Sequence, residues 1–161
     1  MTTLFEMLNN DSIKAIAKNT VKVGDVYRIK MDERNGIKPK AGDKSRNKYF
    51  IVLGFDSEGN AYGGVIINSE INPNIPQSMK NCHLHIECSK YSFLDHDSYV
   101  DCSILDHDSY VDCSKLKIAN IEKFGKWQYL GFFSLEDVQL ITTTIQGSPN
   151  ETKEHLAMFG L

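Results

Sequence analysis

Three clusters in this chain carry side chains able to bind or transform a ligand. Cys82-His83-Leu84-His85-Ile86-Glu87-Cys88 gathers thiols, imidazoles and a carboxylate. Zinc needs its ligands to converge on one point, usually from a knuckle and a second element. Strand alternation instead sends His83 and His85 to one face, and Cys82, Leu84, Ile86 and Cys88 to the other, which reads as a mixed-face strand. The triplet Asp-His-Asp stands at 95–97 and again at 106–108. A calcium loop would continue with an oxygen ligand, a glycine and a glutamate at fixed spacing, and none follows, so the triplet reads as a polar turn. The third cluster, Gly42-Asp43-Lys44-Ser45-Arg46-Asn47-Lys48-Tyr49, puts cations where a long loop meets an apolar run. An arginine there has a rigid base and a mobile tip, which suits contact with phosphate. The glycine spacing of a phosphate-binding P-loop and its following helix are absent.

The elements that position these clusters follow from periodicity. Residues 3–18 read as helical, broken near Asn9-Asn10-Asp11, where Asn10 or Asp11 caps a second short helix. From Val23 to Met31 alternation places Tyr27, Ile29 and Met31 on one strand face, with Val26, Arg28 and Lys30 on the other. After a basic loop from Asp32 to Asn47, the apolar run Tyr49 to Phe55 reads as a central strand. Ser57-Glu58-Gly59-Asn60 turns the chain into a return strand from Ala61 to Ile71. Further strands are expected at His83 to Cys88, and at Ser98 to Ser103 or Ser109 to Ile118. Beyond residue 120 the tail reads as helical: a short turn from Ile121 to Phe124, then a helix opened by Ser134-Leu135-Glu136-Asp137 with Leu135, Val138, Ile141 and Ile145 inward, ended by Gly147 and Pro149.

One phrase is written twice. Phe93 to Ser103 and Ile104 to Ser114 are identical except at their first position. A repeat this short and occurring only twice is no solenoid; it is a tandem duplication of one strand-forming segment. Copy one keeps the approach Lys90-Tyr91-Ser92, and copy two keeps the exit Lys115-Leu116-Lys117-Ile118. Copy two is therefore expected in the strand, with copy one lengthening the polar loop or folding as a hairpin. Setting one copy aside, with its three Asp, moves the net charge from -3 to zero. The charge is uneven: Arg28 to Lys48 carries a local +5, against -8 after Lys48. A basic segment on an acidic body suits a focused polyanion site. At 161 residues, 41% hydrophobic and 24% charged, the chain reads as one ordinary globular domain. With one copy removed its cysteines number three, and with neither a leader nor a long apolar run it is expected in a reducing cytoplasm, away from membranes.

Taken in order, these pieces resemble the MazF/PemK toxin family. Gly24-Asp25-Val26-Tyr27 is similar to the family's opening of its first strand, and Ser45-Arg46-Asn47-Lys48-Tyr49-Phe50-Ile51-Val52-Leu53 to its basic lead-in to the second. Gly64-Val65-Ile66-Ile67-Asn68-Ser69-Glu70-Ile71 resembles the strand that ends in a polar cluster. Ser109 to Leu116 resembles the strand before the helical tail, and Tyr129-Leu130-Gly131-Phe132-Phe133-Ser134 the stretch before the last helix. The resemblance covers about residues 23 to 146.

It implies an α+β chain, mainly β, built on a small SH3-like barrel of the MazF/PemK/CcdB type. A helical extension (1–20) would precede the barrel (21–120, with the duplicated segment 93–114), and a helical tail (121–161) would follow. The implied activity is that of a toxin: an endoribonuclease using neither metal nor cofactor, which cuts single-stranded RNA to a cyclic phosphate and a 5′-hydroxyl. Arg46 falls on the catalytic arginine. The family's hydroxyl position falls on Asn68, a poor proton carrier, with Ser69 beside it as the alternative hydroxyl. Lys38, Lys44 and Lys48 would hold the RNA backbone, while His83 and His85 are further proton donors to consider. Such toxins are homodimers neutralised by an acidic antitoxin. The alternatives are a non-catalytic RNA- or protein-binding module of the same barrel, and a gyrase-directed toxin.

Overall fold

The computed structural model describes residues 10–37, 42–68, 71, 73–87, 90–94 and 109–161. Copy one of the duplicated phrase beyond Leu94, together with Lys38 and Ser69, lies outside them. Helix α1 (Asn10–Thr20) is followed by β1 (Asp25–Met31), β2 (Arg46–Phe55), β3 (Ala61–Asn68), the single turn α2 (Gln77–Lys80) and β4 (His83–Ile86). Then come β5 (Ser109–Asn120), β6 (Gln128–Phe132), α3 (Leu135–Gln146) and α4 (Lys153–Ala157). The strands form one six-stranded sheet in the order β4-β5-β3-β2-β1-β6, and every pairing is antiparallel.

The class is therefore α+β and mainly β, but the expected closed barrel is not formed: among the described residues β4 and β6 are the two edges and share no ladder. The physical reason lies in burial on both sides. Successive residues of a strand face opposite ways, and in β2 every residue from Phe50 to Gly54 is buried. Phe50 and Val52 pack in a cluster with Tyr27, Ile29 and Met31, which Ile13 and Ala17 of α1 cover. Ile51 and Leu53 pack on the opposite face with Val65 and Val111, under Val138, Ile141 and Ile145 of α3. With helices to cover both faces, the sheet has no need to curl onto itself to hide either. Helix α1 is thus a layer of the core.

Most local expectations hold. The alternation of β1 appears as buried Tyr27, Ile29 and Met31 between exposed Arg28 and Lys30. Gly59 supplies the positive φ of the β2–β3 turn. Ser134 accepts the Asp137 N–H at 3.2 Å and opens α3. Leu135 departs from its expected inward place and is 74% exposed. Helical side chains lean toward the N-terminus, so at the first position Leu135 leans off the end of the packed face. The tail is not wholly helical, since Gln128–Phe132 pairs with β1 as an edge strand. Among the described residues, no helix is long and apolar enough to cross a membrane.

Copy two occupies the strand, as expected: Ser109 to Ser114 all lie in β5. The first two residues of copy one have their own places. Phe93 stacks near Phe133, with ring centroids 5.7 Å apart, and Leu94 is buried in the α3-side cluster. Past Asp112 the ladder between β3 and β5 shifts. The backbone groups freed there are satisfied from the tail: Glu151 accepts the Leu116 N–H at 2.8 Å, and the Ser148 hydroxyl donates to the Ser114 carbonyl.

Candidate nucleic-acid interface

The α1-covered face of the sheet changes character toward one end. Arg46, Lys48, Phe50 and Val52 share that face of β2 by alternation, and the last two are core. Lys48 and Arg46 continue the row beyond it, only partly buried. On β1, Met31 stands opposite Arg46 and Ile29 opposite Lys48. On the other side the Lys48 ammonium donates to Asn68 Oδ1 at 2.7 Å. Asn68 is paired with Tyr110 of β5, and Tyr110 with His85 of β4. Lys48, Asn68, Tyr110 and His85 thus form a polar row across four strands. Neighbouring strands lie about 4.8 Å apart, so each step along the row is short.

Arg46 belongs to a strand, a correction to the loop position that the sequence suggested. Its ladder with Met31 holds the backbone, so the reach of the guanidinium comes from the side chain alone. Among the described residues that guanidinium has no ion pair or hydrogen-bond partner. Lys44 is exposed in the bend before β2, and its side chain is not tied to the row. The structure thus brings Arg46, Lys48 and Asn68 together, and leaves Lys44 at the margin.

Next to the row is a second polar group that sequence reading did not assemble. His83 is paired with Asp112 one step along the same two strands, and Nε2 of His83 lies 3.6 Å from the carboxylate. Nδ1 faces the Met79 carbonyl at 2.9 Å, so that nitrogen carries the proton. Ser114 donates its hydroxyl to Asp112 at 2.5 Å. The order is therefore serine to carboxylate to imidazole, and no imidazole stands against the hydroxyl, so this is no nucleophilic triad. Among the described residues no three His, Cys, Asp or Glu side chains are placed to share a metal ion. Lys117, on the same face, donates to the Gly36 carbonyl at 2.9 Å, and burial lowers its ammonium pKa against the pull of Asp112.

His83 and His85 do share a face, as alternation required. Tyr110 was missed, although Tyr110 and Asp112 alternate with buried Val111 and Cys113 in plain view. Register was the missing information, because only pairing with Asn68 and His85 puts Tyr110 in the row. Neither the protein-family models nor the curated proteins give a match to this chain.

Proposed function

We propose that the chain is a MazF/PemK-like toxin, an endoribonuclease that cleaves single-stranded RNA without a metal. The observation that carries the reading is the Lys48–Asn68 hydrogen bond at 2.7 Å. It joins the two segments, the basic lead-in of β2 and the polar end of β3, that the resemblance assigns to one site. Kinship rests on that juxtaposition and on strand order along the chain, since the sheet is open.

In this reading the ribose 2′-hydroxyl attacks the adjacent phosphorus. The new bond closes a cyclic phosphate, the bond to the 5′-oxygen breaks, the 2′-proton leaves and a proton is returned to the 5′-oxygen. Arg46 holds the charge that builds on the phosphorane oxygens, for which a permanently charged planar fork is well suited. Lys48 binds the backbone as a point charge. With Oδ1 accepting from Lys48, Asn68 presents its NH2 as a donor toward phosphate. The site is thus rich in donors, so the 2′-proton ends on solvent water, with Ser69 in the role of a hydroxyl that relays it by passing on its own proton. The local +5 between Arg28 and Lys48 suits both RNA and an acidic antitoxin segment competing for the same surface. A homodimer in the cytoplasm completes the proposal.

The test is incubation of single-stranded RNA with the chain in EDTA. Fragments ending in cyclic phosphate and 5′-hydroxyl are expected, with Arg46→Ala slower by about 10²–10³-fold. RNA bound but never cut would replace the enzyme with a binding module. Poisoned topoisomerase with intact RNA would point to the gyrase-directed class.

A further inference from the structure

We propose that Tyr110 and His85 form a nucleobase-stacking subsite, which holds a base of the RNA strand beside the phosphate gripped by Arg46, Lys48 and Asn68. This rests on the ribonuclease reading and adds to it the path of the strand across β2, β3, β5 and β4.

The two rings are direct cross-strand partners, with centroids 5.4 Å apart and planes at 56°. Tilted in this way, the two rings meet by an edge and are not stacked flat on each other. The contrast with Tyr91 is informative: its ring lies 4.4 Å from Phe133 at 11°, a closed stack belonging to the packing around α3. Tyr27 and Tyr62 are buried. Tyr110 is partly exposed and His85 exposed. Tyr110 is also the direct partner of Asn68 on the next strand, so their backbones lie about 5 Å apart at the polar end of the row. Proteins that grip single strands combine a cationic track for phosphates with aromatic faces for bases, because every base has a face to stack. The row supplies both parts in sequence: guanidinium, ammonium, amide, phenol, imidazole.

The subsite is tested by the anisotropy of a short fluorescein-labelled single strand carrying 2′-O-methyl ribose throughout, which cannot attack its own phosphate. Tyr110→Ala is expected to weaken binding by about 5- to 150-fold, the range for loss of one base stack, without changing the salt dependence. Tyr110→Phe keeps the ring and binds like the parent. A strand of abasic residues is expected to bind the parent and Tyr110→Ala alike. His85→Ala, at an exposed edge position, is expected to weaken binding as well, and serves where Tyr110→Ala does not fold. Unchanged affinity in either alanine variant, or an equal loss on the abasic strand, overturns the subsite. If Lys48→Ala then still lowers the salt slope by about 0.7, RNA binding stands without it. A parent chain that binds neither strand sinks the ribonuclease reading as well.

Discussion

Glu151 shows how one side chain ties the tail to the sheet. Its side chain is 2% exposed, and it accepts from Leu116 N–H at 2.8 Å and Thr152 N–H at 3.0 Å, with His155 Nδ1 at 2.6 Å. Burial works to raise its carboxyl pKa, but these hydrogen bonds and the imidazole outweigh it and leave the pKa lowered. A carboxylate with a lowered folded pKa contributes stability above its unfolded value, about 4.3, and loses that contribution as pH falls through the folded one. Glu151→Gln is therefore expected to cost about 1–3 kcal/mol at neutral pH. In urea melts across acid pH the gap from the parent should close below about pH 4. A gap constant with pH would assign the loss to shape alone. Asp137 behaves alike: burial raises its pKa, but Lys90, Tyr91 and Ser134 outweigh it, so its contribution fades in the same direction.

At the scale of elements, the duplicated phrase is divided between two tasks. Phe93 and Leu94 of copy one pack beside Phe133 and α3, while Ser109 to Ser114 of copy two make the strand. Deleting residues 95–105 rejoins Leu94 to Asp106 and restores a single phrase with both tasks filled. Between Leu94 and Ser109 the chain then runs through three residues instead of fourteen, and a connection shortened in this way costs about 1 kcal/mol less to close. The shortened chain is expected to melt at least as high as the parent by circular dichroism. A shortened chain that fails to fold would show that copy one contributes more than its first two residues. Both Asp-His-Asp triplets fall outside the described residues.

For the whole molecule, two helical layers decide the architecture. Ile13 and Ala17 of α1 are buried in one cluster, while Val138, Ile141 and Ile145 of α3 are buried in the other. If α1 is a core layer, Ile13→Ala leaves a cavity and costs about 2–5 kcal/mol. The loss should appear in a single cooperative urea transition, because both clusters share β2. A melt unchanged by the substitution would make α1 a dispensable extension. The same layering explains the open sheet, and leaves the row from Arg46 to His85 on the α1-covered face, past the end of the apolar cluster.

Local chemistry was legible in the chain itself. Alternation in β1, the cap at Ser134, the turn at Gly59 and the two-sided burial of β2 each follow from neighbours in sequence, whose spacing sets face and φ directly. So does the shared face of His83 and His85, and the choice of copy two through its intact exit. What sequence could not supply was register and layer. Arg46 seemed a loop residue because its strand partner, Met31, is fifteen positions away. Tyr110 seemed part of a structural phrase because its neighbours Asn68 and His85 come from other strands. The barrel was expected from the run of short strands and from the resemblance, and nothing local in the helices says that they will cover both faces and leave the sheet open. These are long-range pairings, and their free energy comes from burying both faces of the sheet at once, so only the assembled chain decides them.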